Sequence, residues 1–196
     1  MKKFIALAAV VLVSMATTTM YAQESRAEKR ADRKAQRDAE RARLKAEEQA
    51  QDAISYDDAM AALKAHQFVM EADQVMFRNG QTAFVNSNTN FVSVKDNHAV
   101  VQVAFNIPIS GPNGLGGVTV EGTFTGYDLK KDKKGNLSLS MNVLGTGISA
   151  RVDITLYEGG NNATVYITPN FNSNRMTLNG VIVPLQKSSV FKGRSI

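Results

Sequence analysis

The sequence contains no cysteine and no tryptophan, and only 4 prolines and 2 histidines among its 196 residues. Each shortage removes a class of chemistry. Without cysteine there is no disulfide framework, no thiol nucleophile, no thiolate metal ligand and no residue for a leader-linked lipid. The two imidazoles, His66 and His98, stand far apart in sequence and in no metal-ligand spacing. Neither a hydroxyl–histidine nucleophile pair nor a histidine metal site is therefore spelled out, and both histidines read as surface residues. Long apolar runs are missing too. The longest near the N-terminus, 4–13, falls well short of the roughly 20 residues that a membrane-spanning helix needs, so no integral span is expected.

That short run has another meaning. Lys2 and Lys3 precede it, and small and polar residues lead from it to Tyr21-Ala22-Gln23. A basic start, a short apolar stretch and a small residue at the cut describe a secretory leader, residues 1–22, removed after Ala22. The mature chain is expected to be soluble, in the periplasm or outside the cell. Its formal net charge of +5 drops to about +3 once Lys2 and Lys3 are gone.

The mature chain divides into unequal parts. Residues 23–54 carry no Gly, Pro or aromatic side chain and are dense in helix formers. Alanines at 27, 31, 35, 39, 42, 46, 50 and 53 draw one narrow helical stripe. Opposite charges at Arg37–Glu40, Asp38–Arg41, Lys45–Glu48 and Arg43–Glu47 are spaced to support it, each by about 0.2–0.5 kcal/mol. Lys29, Arg33, Arg37, Arg41 and Lys45 form a row four apart, where like charges repel. An alanine stripe without Trp, Phe or Leu buries little, so the segment reads as a solvated spacer helix rather than a contact for an anionic envelope component. Nucleic acid is excluded as a partner, because acids interleave the cations and no aromatic ring offers stacking.

Residues 55–196 form the second part. Ser55, followed by Asp57 and Asp58, reads as the N-cap of a new short helix. Tyr56, Ala59, Met60 and Leu63 lie on its apolar face. Beyond Gln67 the hydrophobic period falls from helical to two. Eight strands are predicted: 68–77, 91–95, 99–107, 118–129, 137–144, 148–157, 163–168 and 176–183, with Gly/Asn/Asp/Pro clusters between them. The fold class is mainly β. The architecture is an eight-stranded up-and-down β-barrel of lipocalin type behind a long charged helix, with a β-sandwich as the alternative.

The alternation bears on function. Val118, Val120, Gly122, Phe124 and Gly126 share one face of their strand, and Thr119, Glu121, Thr123, Thr125 and Tyr127 share the other. Val152 and Ile154 alternate likewise with Arg151 and Asp153. Titratable groups thus point away from the apolar face, where an enzyme would need them to converge. Glu71 and Asp73 share a wet strand face and read as solvated. No catalytic residue, metal ligand or cofactor is assigned. Val120, Phe124, Val152 and Ile154 are the candidate lining for a small apolar ligand, with Gly122 and Gly126 leaving space beside Phe124.

The glycine-rich loop Gly111-Pro112-Asn113-Gly114-Leu115-Gly116-Gly117 looks at first like a phosphate cradle. Such loops open a helix, whose amides meet the anion, whereas this one runs straight into Val118-Thr-Val-Glu, a strand. Gly111, Pro112, Asn113, Gly114, Gly116 and Gly117 are therefore structural. Together with Asn90-Phe91-Val92, Asp132-Lys-Lys-Gly-Asn136, Thr168-Pro-Asn-Phe-Asn172, Leu178-Asn-Gly180 and the closing Phe191-Lys-Gly-Arg-Ser-Ile196, this loop resembles the bacterial domain-of-unknown-function family 4251. The resemblance runs from about His66 to Ile196. It implies export by a Gram-negative bacterium and a lipocalin-type barrel, and it brings no catalytic residue.

Two functions remain: a monomeric, non-enzymatic protein holding a small apolar ligand in its interior or mouth, and an envelope interaction module that grips a protein or polymer by its outer surface. The leader is the first testable point. Edman sequencing of the exported form is expected to begin at Gln23; a mature chain that still begins at Met1 would refute the leader.

Overall fold

The structure is a computed structural model that describes residues 2–104, 117–146, 149–170 and 175–193, with side chains from Glu28 onward. The N-terminal element is one helix, α1 (Lys2–Lys64). The break expected before Ser55 is absent, and Ser55 lies inside α1. The reason is local. No Gly or Pro separates the charged segment from Tyr56, and a cap worth about 1 kcal/mol does not outweigh continued hydrogen bonding. Two compact units follow, Met1–Gln49 and Ala50–Ile196.

In the first unit, side chains 28–49 are all exposed. Of the four expected charge pairs, Arg43–Glu47 forms, at 3.1 Å. The other three form no ion pair among the described residues.

In the second unit, the end of α1 buries Tyr56, Ala59, Ala62 and Leu63, with Met60 partly buried beside them. The helix stops at His66, whose φ of 56° is the left-handed conformation that ends helices and is usually left to glycine. Nine strands follow: β1 (Gln67–Phe77), β2 (Thr82–Phe84), β3 (Phe91–Lys95), β4 (His98–Ala104), β5 (Gly117–Lys131), β6 (Leu137–Gly145), β7 (Ser149–Leu156), β8 (Asn162–Pro169) and β9 (Met176–Pro184). Neighbours pair antiparallel from β3 to β9, and β1 pairs with both β3 and β9. The result is a closed eight-stranded barrel. The extra strand, β2, pairs with Gln74–Met76 on the edge of β1 whose first residues, Gln67–Glu71, pair with β3. β2 and β3 thus share one position in the barrel. The Pro184-led turn Leu185–Lys187 then starts a C-terminal tail.

Alternation places one contiguous core inside the barrel, from Phe68 and Met70 on β1 round to Leu178 and Ile182 on β9. Two bulges shift it. One lies between Ala72 and Gln74, so that Ala72 and Val75 are both internal. The other lies between Thr125 and Asp128, where Gly126 has φ 68°. It brings Tyr127 and Leu129 in against the core, and Tyr127 is thus internal rather than external as the simple alternation predicts. An extra residue in one strand reverses the facing of all that follow it.

Unit boundaries give an expected outcome. Deleting residues 24–49 is expected to leave the barrel's unfolding midpoint within a few degrees, because side chains 28–49 are all exposed, whereas 1 kcal/mol would shift it by about 2–8 °C. Extending the deletion through Leu63 unplugs the core and collapses the transition. Thermal circular dichroism of both truncations checks this; a collapse on the shorter deletion would show that the charged helix packs as core.

Candidate functional site

The barrel interior and its two ends are the places where this fold can hold something. All four candidate lining residues lie in the buried core: Val120 and Phe124 at 8%, Val152 at 0% and Ile154 at 1% exposure. Register explains how they meet. Val120 stands opposite Val101, Val152 lies between Met141 and Ile167, and Ile154 lies between Leu139 and Val165. The expected space beside Phe124 is not there at Gly122. A Cβ on Gly122 would meet the Leu144 carbonyl oxygen at 1.8 Å. This glycine lets β6 approach closely and adds no volume to the interior. Gly126 is used for its left-handed φ in the bulge.

One end of the barrel is plugged. β1, β4, β6 and β8 start there and β3, β5, β7 and β9 finish there, and the end of α1 covers the core. The Tyr127 hydroxyl donates to the Leu63 carbonyl at 2.6 Å, satisfying one of the acceptors that a helix C-terminus leaves open. Burial pushes the Tyr127 phenol well above the usual tyrosine range. It stays a protonated donor. The Tyr56 hydroxyl donates to the Gly135 carbonyl in the β5–β6 turn, and Lys131 Nζ sits 5.6 Å from the Tyr56 ring centre. His66 is half-buried, 4.0 Å from the Tyr127 ring and 5.8 Å edge-on to Phe124. It is a packing residue of the plug rather than a surface histidine. His98 is exposed at the start of β4.

Among the described residues the opposite end carries no helix. Val118 faces inward by register with Val103, yet it is 40% exposed. Met76 and, on β2, Phe84 are exposed at the same end, Phe84 at 86%. Of the loop signature, Gly117 is the first residue of β5; Gly111, Pro112, Asn113, Gly114 and Gly116 lie outside the described residues, as do Phe105, Ile107 and Ile148 of the predicted strands.

The charged groups lie on the outer wall. Glu71 accepts from Ser188 at 2.6 Å, and Asp73 is exposed in the β1 bulge. Asp132 is held below the usual carboxylate range, mainly by the Asn136 side chain and also by backbone amides of its turn. Burial works against the charge of Asp153. Hydrogen bonds from Arg151 and Ser140, with the Arg151 charge, outweigh it and hold that carboxyl low. Round the wall runs a ladder of side chains: Tyr157 donates to Thr164, Thr164 to Asn179 and Asn179 to Gln74, at 3.2, 2.9 and 2.7 Å.

One outer patch is not wet at all. Gln102 and Thr119 are fully buried, with Val69 and Phe91, because the C-terminal tail lies across β1, β3, β4 and β5. The Gln102 amide donates to the Thr89 and Phe191 carbonyls, both at 2.9 Å. Its oxygen accepts from Thr119 Oγ1 at 2.9 Å and from the Gly193 amide at 2.7 Å. All of its hydrogen-bonding capacity is used. Lys192 pairs with Glu121 at 2.8 Å beside it. Strand alternation gives Gln102 as one more outward polar residue, and no local signal shows that residues 89 positions later will cover it.

Packing of this kind sets an expected cost. Phe124→Ala is expected to lose about 3–5 kcal/mol in urea unfolding, transfer plus cavity. Tyr127→Phe, which leaves the Leu63 carbonyl with only the longer bond from the His66 amide at 3.3 Å, is expected to lose about 1 kcal/mol. A Phe124→Ala cost well below that range would show an interior already open.

No curated protein matches the chain. The crystal structure of a DUF4251 family protein from Bacteroides eggerthii DSM 20697 is similar, with 62% sequence identity and a TM-score of 0.65. The match covers 76% of this chain and 99% of that one. The model of the family, described as a domain of unknown function, matches residues 50–182. That span takes in the plugging end of α1 and stops before the tail that buries Gln102. The chain belongs to the DUF4251 family.

Proposed function

We propose that the protein is exported and monomeric and acts without catalysis, taking a small apolar molecule at the open mouth of its barrel. The observation that carries this reading is the difference between the ends. Inward positions near the plug are closed by α1, whereas Val118 is an inward-facing valine with 40% exposure. Two residues further along β5, Val120 is down to 8%. An apolar side chain left wet at the mouth of an apolar barrel is a surface that a greasy ligand covers with gain, at about 25 cal/mol per Å². The packed interior favours the mouth over the centre as the place of binding. Among the described residues no polar group is aimed into it, which fits retention of a ligand better than chemistry on one.

The outer wall supports a second reading, an envelope interaction module. Tyr157 and Tyr166 are each 43% exposed along the polar ladder, and exposed tyrosines are favoured at protein contacts.

An environment-sensitive apolar dye separates the two. Saturable binding is expected for the unaltered protein, with displacement by a lipid-like extract from the native host. Val118→Asp is expected to abolish it while changing stability by less than about 1 kcal/mol, since the site is partly exposed. Dye binding that is absent, or indifferent to Val118→Asp, removes the mouth reading and leaves the outer wall.

A further inference from the structure

We propose that residues 29–45 of α1 form an electrostatic docking face for an anionic phospholipid surface. At about 100° per residue, Lys29, Arg30, Arg33, Lys34, Arg37, Arg41 and Lys45 fall within one sector of about 160°. Within this stretch Glu40 is the only acid in that sector, and Ala31, Ala35, Ala39 and Ala42 occupy the opposite side. All seven cations are exposed. Among the described residues none of them forms an ion pair; the pair that this segment does make, Arg43–Glu47, lies outside the sector. Neighbours four apart therefore repel along the face, where Glu40 alone offsets them within the sector.

The partner follows from shape and chemistry. The face is straight, one-sided and about 24 Å long, which suits a plane of phosphates. No aromatic ring is present to stack on bases. Leu44, 54% exposed, projects near the middle of the cationic sector. A lone leucine among flexible cations gains by dipping between lipid headgroups, and gains nothing on a soluble polyanion. The contact is peripheral, because one leucine does not anchor a helix within the hydrocarbon.

The test is sedimentation of the full exported protein with phosphatidylcholine vesicles, with and without phosphatidylglycerol. Binding is expected with phosphatidylglycerol alone. It is expected to disappear by about 0.5 M salt, where screening acts over a few ångströms. Replacing Lys29, Arg33, Arg37 and Arg41 by Gln is expected to lower vesicle affinity at least about tenfold, and Leu44→Gln is expected to lower it a few-fold. Lys95, Lys130, Lys133 and Lys134 changed to Gln together remove the same charge from the barrel and are expected to leave affinity unchanged. Equal losses in the two quadruple variants, binding to pure phosphatidylcholine, or no binding at low salt would each overturn the proposal. So would capture of double-stranded DNA by a protein that ignores the vesicles.

Discussion

The ladder between β1 and β9 is the constraint on which the rest of the barrel depends. It joins Phe68 to Pro184 and Phe77 to Met176, so residues at opposite ends of the domain must meet before either strand has two neighbours. Closure removes the free edges that an eight-stranded sheet would otherwise present. It also fixes where the flanking segments go. The helix that leads into β1 arrives at one end of the barrel, and its last turns pack on the core there. The chain leaving β9 emerges at that same end, and its tail runs back over the outside of β1 and β3. Plug and tail are both consequences of how the barrel closes.

A closed barrel has the opposite problem inside. Every inward position must be filled, and every backbone amide must still find a partner along strands that curve. Gly122 admits the β6 backbone where a side chain would collide, and the two bulges add a residue where curvature needs one. These are the sites at which local sequence preference yields to closure. Packing then continues through His66, Phe124 and Tyr127 into the end of α1, without a seam between helix and barrel.

Strand positions were largely legible in the sequence, since a period of two between Gly/Asn turns is the direct imprint of a half-buried sheet. β2 was not, because Thr82-Ala-Phe84 is too short to show any period. The bulge at Gly126 had a visible sign, a glycine inside a strand, but the same glycine reads equally as spare volume. Continuity of α1 through Ser55 was hidden by a cap signal that is weak beside an unbroken run of helix formers. The burial of Gln102 was illegible for a different reason. It depends on a contact with Phe191 and Gly193, and periodicity carries no information about partners so distant along the chain. For the candidate site, the residue types on the inner face could be read, but that the end of α1 plugs one end of the barrel could not.

That plug is what gives the molecule a direction. An up-and-down barrel closed at both ends is only a core, and one open at both ends leaks its apolar interior into water. Here the plugged end carries the half-buried Tyr127 phenol and the His66 ring tilted against it, and both tie the end of α1 to the barrel. At the other end, where no helix arrives among the described residues, Val118 is exposed on the inner face and Met76 and Phe84 on the outer. The stabilising contacts and the accessible ones therefore lie at opposite ends of the same eight strands. A change at Val118 therefore lies far from the contacts that join the end of α1 to the barrel.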